Sequence, residues 1–565
     1  MRVMAVRLPV TEWLPSYDRR WLRGDVAAGI AVTALIVPKN LGYAGIAGVP
    51  LQNGLYAAAA GAIIYALFCT SRQISTGPSS SLAAVAGGAV VVTGLADDQA
   101  AELVAAITLV TGLLFLALAL LRLGWISRFL SKAVITGFLA GAAVDVVIGE
   151  LPKLTGTDAD GDNAWRELGS WIGSLGDVHG STVLVGVLAL GLILGLRFLR
   201  PAIPGALVLV AAGILAAHVF DLEAHGVALV GDVPSGLPAP ELPSFDLIQE
   251  HIATIGVAAI ALLLIGFSQT AGDARAFAAR HKYPIDVDQE SVAQGMANVG
   301  AGVFQGMPVS TSLSASSLNE SAGARTPLAS LVTGALVLLT LLFLAPLVST
   351  LPKPVLAAVI IDAVVFGMID IGELRRLHRV TRFDFWVAVA AIVAVLSAGV
   401  LAGVAIGIVL SLGWLIYVAT RPPIPLLGRE RGTQVFRELD ENPGDETFPG
   451  VVVLRLDSGL FFATSQALED RVRALAQDGS QLGALVLDFV GVNFIDSQGA
   501  EQLAAILELV ESSGGTMRLA RVKPSVLAVL RADGFVDRLA ADRIHGNVDR
   551  AVEAELRARG PAGLV

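Results

Sequence analysis

Residues 182–196 and 331–348 pass without a single charged side chain. At 1.5 Å per residue the longer run makes a helix of about 27 Å, close to the hydrocarbon thickness of a bilayer. No water is available there to satisfy backbone groups, so such a run must be helical. Residues 101–121 form a third apolar run, broken only by Glu102. Composition agrees: 54% of the chain is hydrophobic and its mean hydropathy is +0.70, above the norm for soluble domains. The expected fold class is a polytopic α-helical membrane protein. The first twenty-odd residues carry Arg2, Arg7, Arg19, Arg20 and Arg23 without an apolar core, so no cleavable signal is expected. A single cysteine, Cys69, excludes an intrachain disulfide and a thiolate metal site. Seven scattered histidines show no ligand spacing, and no metal site is expected.

Charge divides the chain. After Gly432 there are 13 Lys/Arg and 20 Asp/Glu, so 33 of 88 charged residues fall in the last 133. The division predicts an N-terminal segment 1–24, a membrane domain 25–420, a linker 421–432 opened by Arg421-Pro-Pro-Ile-Pro425, and a soluble domain 433–565. Basic clusters at Arg122/Arg128/Lys132, Arg197/Arg200, Arg275/Arg280/Lys282 and Arg375/Arg376/Arg379/Arg382 alternate with acidic loops at Asp158/Asp160/Asp162/Glu167 and Asp221/Glu223/Asp232. Placing the arginines in the cytoplasm gives about fourteen spans across the inner (plasma) membrane, with both termini cytoplasmic. The tail alternates strand and helix: 451–456, 464–476, 484–489, 498–510, 517–520 and a helix from Pro524. That pattern predicts a small α/β domain. It has no nucleotide-binding glycine pattern.

Two apolar regions are interrupted alike, by Ser75-Thr-Gly-Pro-Ser-Ser-Ser81 and by Gly306-Met-Pro-Val-Ser-Thr-Ser-Leu-Ser314. Paired interruptions in two halves of a membrane protein point to the substrate site of a transporter. A helix that begins at mid-depth presents unpaired N–H groups and the positive end of its dipole, which suits an anion. The plainer alternative is two loops with Ser/Thr helix caps.

Several ordered motifs resemble those of the sulfate permease family. They are Asp25-Val-Ala-Ala-Gly29, Val37-Pro-Lys-Asn-Leu-Gly-Tyr-Ala44, Ala47-Gly-Val-Pro50, Gly54-Leu-Tyr56, Ala274-Arg-Ala-Phe277, Gln289-Glu290, Ala297-Asn298 and Ala322-Gly-Ala-Arg-Thr-Pro327, with Gly306–Ser310 from the second break. The tail is similar to a STAS domain through Phe494-Ile-Asp-Ser-Gln-Gly499. The resemblance implies two inverted seven-helix repeats, a core that moves against a gate, a cytoplasmic STAS domain, transport of a small inorganic or organic anion, and a homodimer. It implies no enzymatic step, no nucleic-acid partner, and no cofactor beyond a coupling Na⁺ or H⁺. Membrane lipid is the expected surrounding partner.

The sequence departs from the family where charge matters. Lys39 stands where the family has Gln, and Ala315 where it has Arg. Lys39 is therefore expected to replace the missing arginine as the substrate's positive partner. The alternative is a lysine that snorkels or pairs with a local carboxylate. The expected substrate ligands are Lys39, Tyr43, Ser79, Ser80, Ser312, Leu313 and Ser314. The family's acidic coupling position falls on Gln269 and its Thr position on Asp273, one turn later on the same face. Asp273 is expected to bind Na⁺, carry a proton, or form a salt bridge. Asp145 and Glu150 are further buried-carboxylate candidates. In the STAS turn the phosphorylatable position is Gln498, which leaves Ser497 as a weak regulatory candidate. The substrate remains open among sulfate, bicarbonate, chloride and dicarboxylates such as fumarate. A nucleobase permease and an uncoupled channel or scaffold stay as alternatives.

Overall fold

The runs at 101–121 and 182–196 each fall in one long helix of the computed structural model, whereas the run at 331–348, expected as one helix, falls in two described helices, Leu328–Phe343 and Ala345–Val348; the structure describes residues 8–121, 131–159, 161, 163–200, 203–231, 236–237, 239–343, 345–477 and 483–559. Arg2, Arg7, Arg122, Arg128, Asp160, Asp162 and Asp232 lie outside the described residues. The chain divides into two compact units, Met1–Ser411 and Leu412–Val565.

The first half of the helical unit contains α1 (Leu22–Ile46), α2 (Leu51–Phe68), strand β1 (Thr76–Pro78), α3 (Ser80–Thr93), α4 (Asp97–Leu120), α5 (Lys132–Thr155), α6 (Gly180–Leu199) and α7 (Gly205–Phe220). The second half contains α8 (Ile252–His281), α9 (Val287–Val303), strand β2 (Val309–Thr311), α10 (Leu313–Ser321), α11 (Leu328–Phe343), α12 (Lys353–Met368), α13 (Arg382–Ala398) and α14 (Val400–Ala419). Among the described residues eight helices are long and apolar enough to cross a membrane, and α3, α7 and α11 are shorter apolar helices. This is a multi-pass membrane protein.

Small residues set the helix spacing. Ala57, Ala58, Ala59 and Ala62 of α2 are almost wholly buried, so backbones approach closely as membrane helices require. Gly54 is the limiting point: a Cβ there would stand 2.2 Å from the Asn40 carbonyl oxygen of α1. Packing is reciprocal between halves. Helix α1 lies against α10 and α11, while α8 lies against α3 and α4. Helix α9 packs on α2 and α4, and a second group joins α5 to α12 and α13, and α6 to α12.

Two buried carboxylates tie the halves together. Asp25 of α1 accepts from the Arg325 N–H at 2.7 Å, the Thr326 N–H at 3.2 Å, Thr326 Oγ1 at 2.7 Å and Tyr17 OH at 3.0 Å. Glu290 of α9 accepts from Thr70 N–H and Oγ1, each at 2.6 Å, from Ser71 N–H at 2.9 Å and Ser71 Oγ at 3.0 Å, and from Tyr65 OH. Neither carboxylate side chain is exposed, and the converging donors take the place of water. Each pins the chain next to the other half's break.

The second unit carries a parallel sheet in the order β5 (Val451–Arg455), β6 (Ala484–Asp488), β7 (Thr516–Ala520), β8 (Ile544–His545), preceded by a hairpin of β3 (Leu427–Arg429) and β4 (Phe436–Glu438). Helices α15 (Ser465–Gln477), α16 (Ser497–Ser512), α17 (Pro524–Ala532) and α18 (Val548–Arg559) complete it. The strands and helices read from the tail are present, within a residue or two at their ends.

Candidate anion site between two half-helices

The two sequence breaks meet. Strands β1 and β2 pair antiparallel, with Thr76 opposite Thr311, Gly77 opposite Ser310 and Pro78 opposite Val309. The Ser312 N–H donates to the Ser75 carbonyl at 3.0 Å, and the Ser75 N–H donates to Ser316 Oγ at 2.9 Å. Pro78 has no N–H to give its neighbour. Helix α9 supplies the lack: Asn298 Oδ1 accepts from the Val309 N–H at 3.0 Å, and Gln294 Nε2 and Asn298 Nδ2 donate to the Val309 carbonyl at 2.6 and 3.0 Å.

Just beyond each strand a helix begins. Ser79 starts α3 in an extended conformation, with no side-chain cap; its Oγ lies 3.1 Å from Ser81 Oγ instead. Ser312 caps α10 only loosely, accepting from the Ala315 N–H at 3.4 Å. The leading N–H groups of both helices are thus available to a ligand. A cavity of about 40 Å³ is lined by Lys39, Asn40 and Tyr43 of α1, by residues 75–79, and by Ser312, Ser314 and Ala315. Lys39 and Ala315 therefore share one cavity. Among the described residues Lys39 makes no salt bridge. Of the expected ligands, Lys39, Tyr43, Ser79, Ser312 and Ser314 come together. Ser80 is buried but does not line the cavity, and the Leu313 side chain is 56% exposed, so only its backbone could serve.

Sequence reasoning missed three features. Asn40 Nδ2 and Thr76 Oγ1 are buried at this cavity without a hydrogen-bond partner; buried polar groups rarely lack one. A second cleft of about 420 Å³ shares Leu35 and Lys39 with the first. Its far wall holds Arg197 of α6, which donates to both carboxylate oxygens of Asp362 on α12 at 2.7 and 2.6 Å and lies 4.3 Å over the Phe366 ring. The available signal was an acid inside the apolar run of α12, and an arginine ending a charge-free one.

A family model described as the sulfate permease family matches residues 22–391. The chain belongs to the sulfate permease family. A STAS domain follows at residues 442–551. A probable sulfate transporter of Mycobacterium tuberculosis is 33% identical over 540 residues, covering 95% of this chain and 96% of that protein. The chloroplastic sulfate transporter 4.1 of Arabidopsis thaliana is 30% identical, covering 97% and 82%. The relatives matched are transporters rather than enzymes. Among solved structures, murine solute carrier 26 family member A9, an anion transporter in its inward-facing state, superposes with a TM-score of 0.87 at 20% identity over 98% of this chain and 96% of that one. The transmembrane domain of the cyanobacterial bicarbonate transporter BicA gives 0.59 at 22% identity over 70% and 99%.

In this member of the family the residues expected to couple transport flank the bridge. Asp273 of α8 accepts from Thr311 Oγ1 at 2.8 Å, and Gln269 Nε2 donates to Ser81 Oγ at 3.2 Å. Among the described residues Asp273 has no salt bridge, so it does not pair with Lys39. Gln269 Oε1 is buried without a partner. Glu150 pairs with Lys153 at 2.6 Å, and neither Asp145 nor Glu150 lines either cavity. Ser497 is exposed at the first position of α16, whose cap is Asp496 accepting from the Gly499 N–H at 2.7 Å.

Proposed function

We propose that this protein is a secondary active transporter of a small divalent oxyanion, sulfate first among them, held between the N-termini of α3 and α10. One observation carries the reading: two thinly capped helix starts and an unpaired lysine line a single cavity. Each helix end contributes roughly half a positive charge, and Lys39 adds one. The total of about two matches a dianion better than a monoanion. The names of the sulfate-transporting relatives agree with this.

Transport would follow the reciprocal packing. The eleven apolar helices already described, joined by α9, α10 and α13 with each half-helix break counted as one crossing, would make fourteen crossings in two sevens, with α1 and α10 mirroring α8 and α3. The group containing α1–α4 and α8–α11 would be the core, and α5–α7 with α12–α14 the gate. The core would slide past the gate as an elevator, carrying the site between the two faces. The larger cleft runs from Lys39 to residues 203–206, beside the Arg197/Arg200 loop, so it would open to the cytoplasm, where both termini would also lie. Asp273, bonded to Thr311 of the bridge, would hold the coupling Na⁺ or H⁺. The tail would serve a homodimer in the plasma membrane.

Uptake by the purified protein in liposomes tests this. Sulfate, bicarbonate, fumarate and uracil are offered with and without Na⁺ and proton gradients. Saturable, gradient-dependent sulfate uptake is expected, lost at least tenfold in Lys39→Gln. Loss of the gradient dependence alone is expected in Asp273→Asn. Uracil uptake, or a Lys39→Gln variant as active as wild type, would overturn the site.

A further inference from the structure

Between α12 and α13 the chain forms a short amphipathic helix, Ile371–Val380. Its buried Leu377 packs with Ala133 of α5 and Ala388 of α13. Arg375, His378, Arg379 and Arg382 follow at helical spacing and line one open cleft of about 810 Å³. Two neighbouring cations already share one carboxylate. Glu373, almost buried, accepts from Arg376 at 2.7 and 2.9 Å and pairs with Lys132 at 3.1 Å. No such partner reaches Arg375, Arg379 or Arg382: among the described residues none of the three has a salt bridge. Three like charges within two turns repel one another unless an anion joins them.

Helix α13 begins at the same place. Its N-cap, Thr381, gives no side-chain cap, and its first residue, Arg382, lines the cleft, so the positive end of the helix dipole lies beside the arginines. Asp384 is the one acid in the first turn. The His378 ring stands edge-on to Phe385 at 4.9 Å, which holds it on the cleft side. Ile371, 56% exposed, and Val380, 67% exposed, line the cleft as apolar groups, and Trp386, 64% exposed, lies beside the lining Phe385 at 5.6 Å between ring centroids. The cleft lies where α12 and α13 leave the apolar zone.

We propose that this cleft binds the phosphate of an anionic phospholipid, with Arg375, Arg379 and Arg382 on the headgroup and Ile371, Val380 and Trp386 against its chains. A free phosphate would use the arginines equally well but would leave the exposed apolar rim unused. Basic clusters beside spanning helices on the arginine-rich face recognise such headgroups, and aromatic residues settle at the same depth.

The test uses the full-length protein in vesicles of phosphatidylcholine, alone or mixed with phosphatidylglycerol, reading thermal unfolding and the phosphatidylglycerol that co-purifies. Phosphatidylglycerol should raise the unfolding temperature of wild type and be retained. The shift should disappear, and retention fall at least tenfold, in Arg375→Gln/Arg379→Gln/Arg382→Gln. An Arg421→Gln variant should behave as wild type. If the triple variant does not fold, Arg379→Gln alone is expected to lose part of both signals. Equal stabilisation of variant and wild type would overturn the proposal. So would inorganic phosphate in pure phosphatidylcholine vesicles reproducing the full shift, which would make this a soluble-anion site.

Discussion

Lysine at membrane depth costs about 3 kcal/mol at a helix centre unless it faces water or an opposite charge. Lys39 lines two adjoining cavities and among the described residues makes no salt bridge, while Asp362, the carboxylate whose charge reaches it, is held by Arg197. That arrangement suits a residue whose partner arrives and leaves. The placement of Lys39 beside the second break was an expectation drawn from the family resemblance, and the structure puts Lys39 and Ala315 on the wall of one cavity. We therefore expect Lys39→Gln to abolish sulfate uptake and a second change, Ala315→Arg, to restore part of it, measured as initial rates in liposomes. Asn40 was invisible in the sequence because type says nothing of whether a side chain finds a partner. Its orphaned Nδ2 is expected to contact substrate. Asn40→Leu should raise the KM for sulfate about tenfold, as expected for a hydrogen bond to a charged group worth about 1.5 kcal/mol. The unfolding temperature without substrate should hold, since no protein contact is lost.

Elements carry a different lesson. Hydropathy and glycine/proline punctuation revealed the half-helices and the strand–helix alternation of the tail, because these follow from local period. The hairpin of β3 and β4 escaped, being short, polar and held by its partner strand rather than by a pattern of its own. The bridge between β1 and β2 escaped for a stronger reason: its residues are over 230 positions apart. Glu290 was read only as a family motif, yet it holds the loop before β1 through five donors. A glutamine would turn an N–H₂ toward groups that donate, leaving at least one buried donor unmet at about 1–3 kcal/mol. Glu290→Gln should lower the unfolding temperature and uptake together. In the STAS sheet, burial first and then nearby Arg518 hold the His545 pKa below its ordinary 6.5, with Arg518 Nη1 3.2 Å from Nε2. The unfolded chain then binds a proton that the folded one resists. Stability from this group is present above the unfolded pKa and falls as pH drops from about 6.5 toward the lower folded value. We expect STAS unfolding, followed by amide hydrogen exchange of tail peptides in the full chain, to lose part of its acid sensitivity between pH 7 and 5 in His545→Gln.

At the scale of the whole molecule, the reciprocal contacts of the two halves mean that neither forms the site alone: Lys39 and Ser79 come from one, Ser312 and Ser314 from the other. In the proposed elevator such a site would be carried by a rigid core, and what would change during transport is the surface between that core and its neighbours. The larger cleft lies on that surface, with Ala34 and Lys39 on one wall and Arg197 and Ala206 on the other. Movement of the core would close it. The chain offers a clean background for measuring this, because its one cysteine, Cys69, is 2% exposed. A single Ala206→Cys variant should react quickly with a charged, membrane-impermeant thiol reagent added at the cytoplasmic face, and much more slowly from outside. Saturating sulfate with an inward cation gradient should redistribute the core and change the cytoplasmic rate several-fold. A cysteine at Val187, on the exposed side of α6 and away from the cleft, should not respond to sulfate. Equal and sulfate-insensitive labelling of Ala206→Cys from both faces would describe a fixed pore, and the alternating-access account would fall with it.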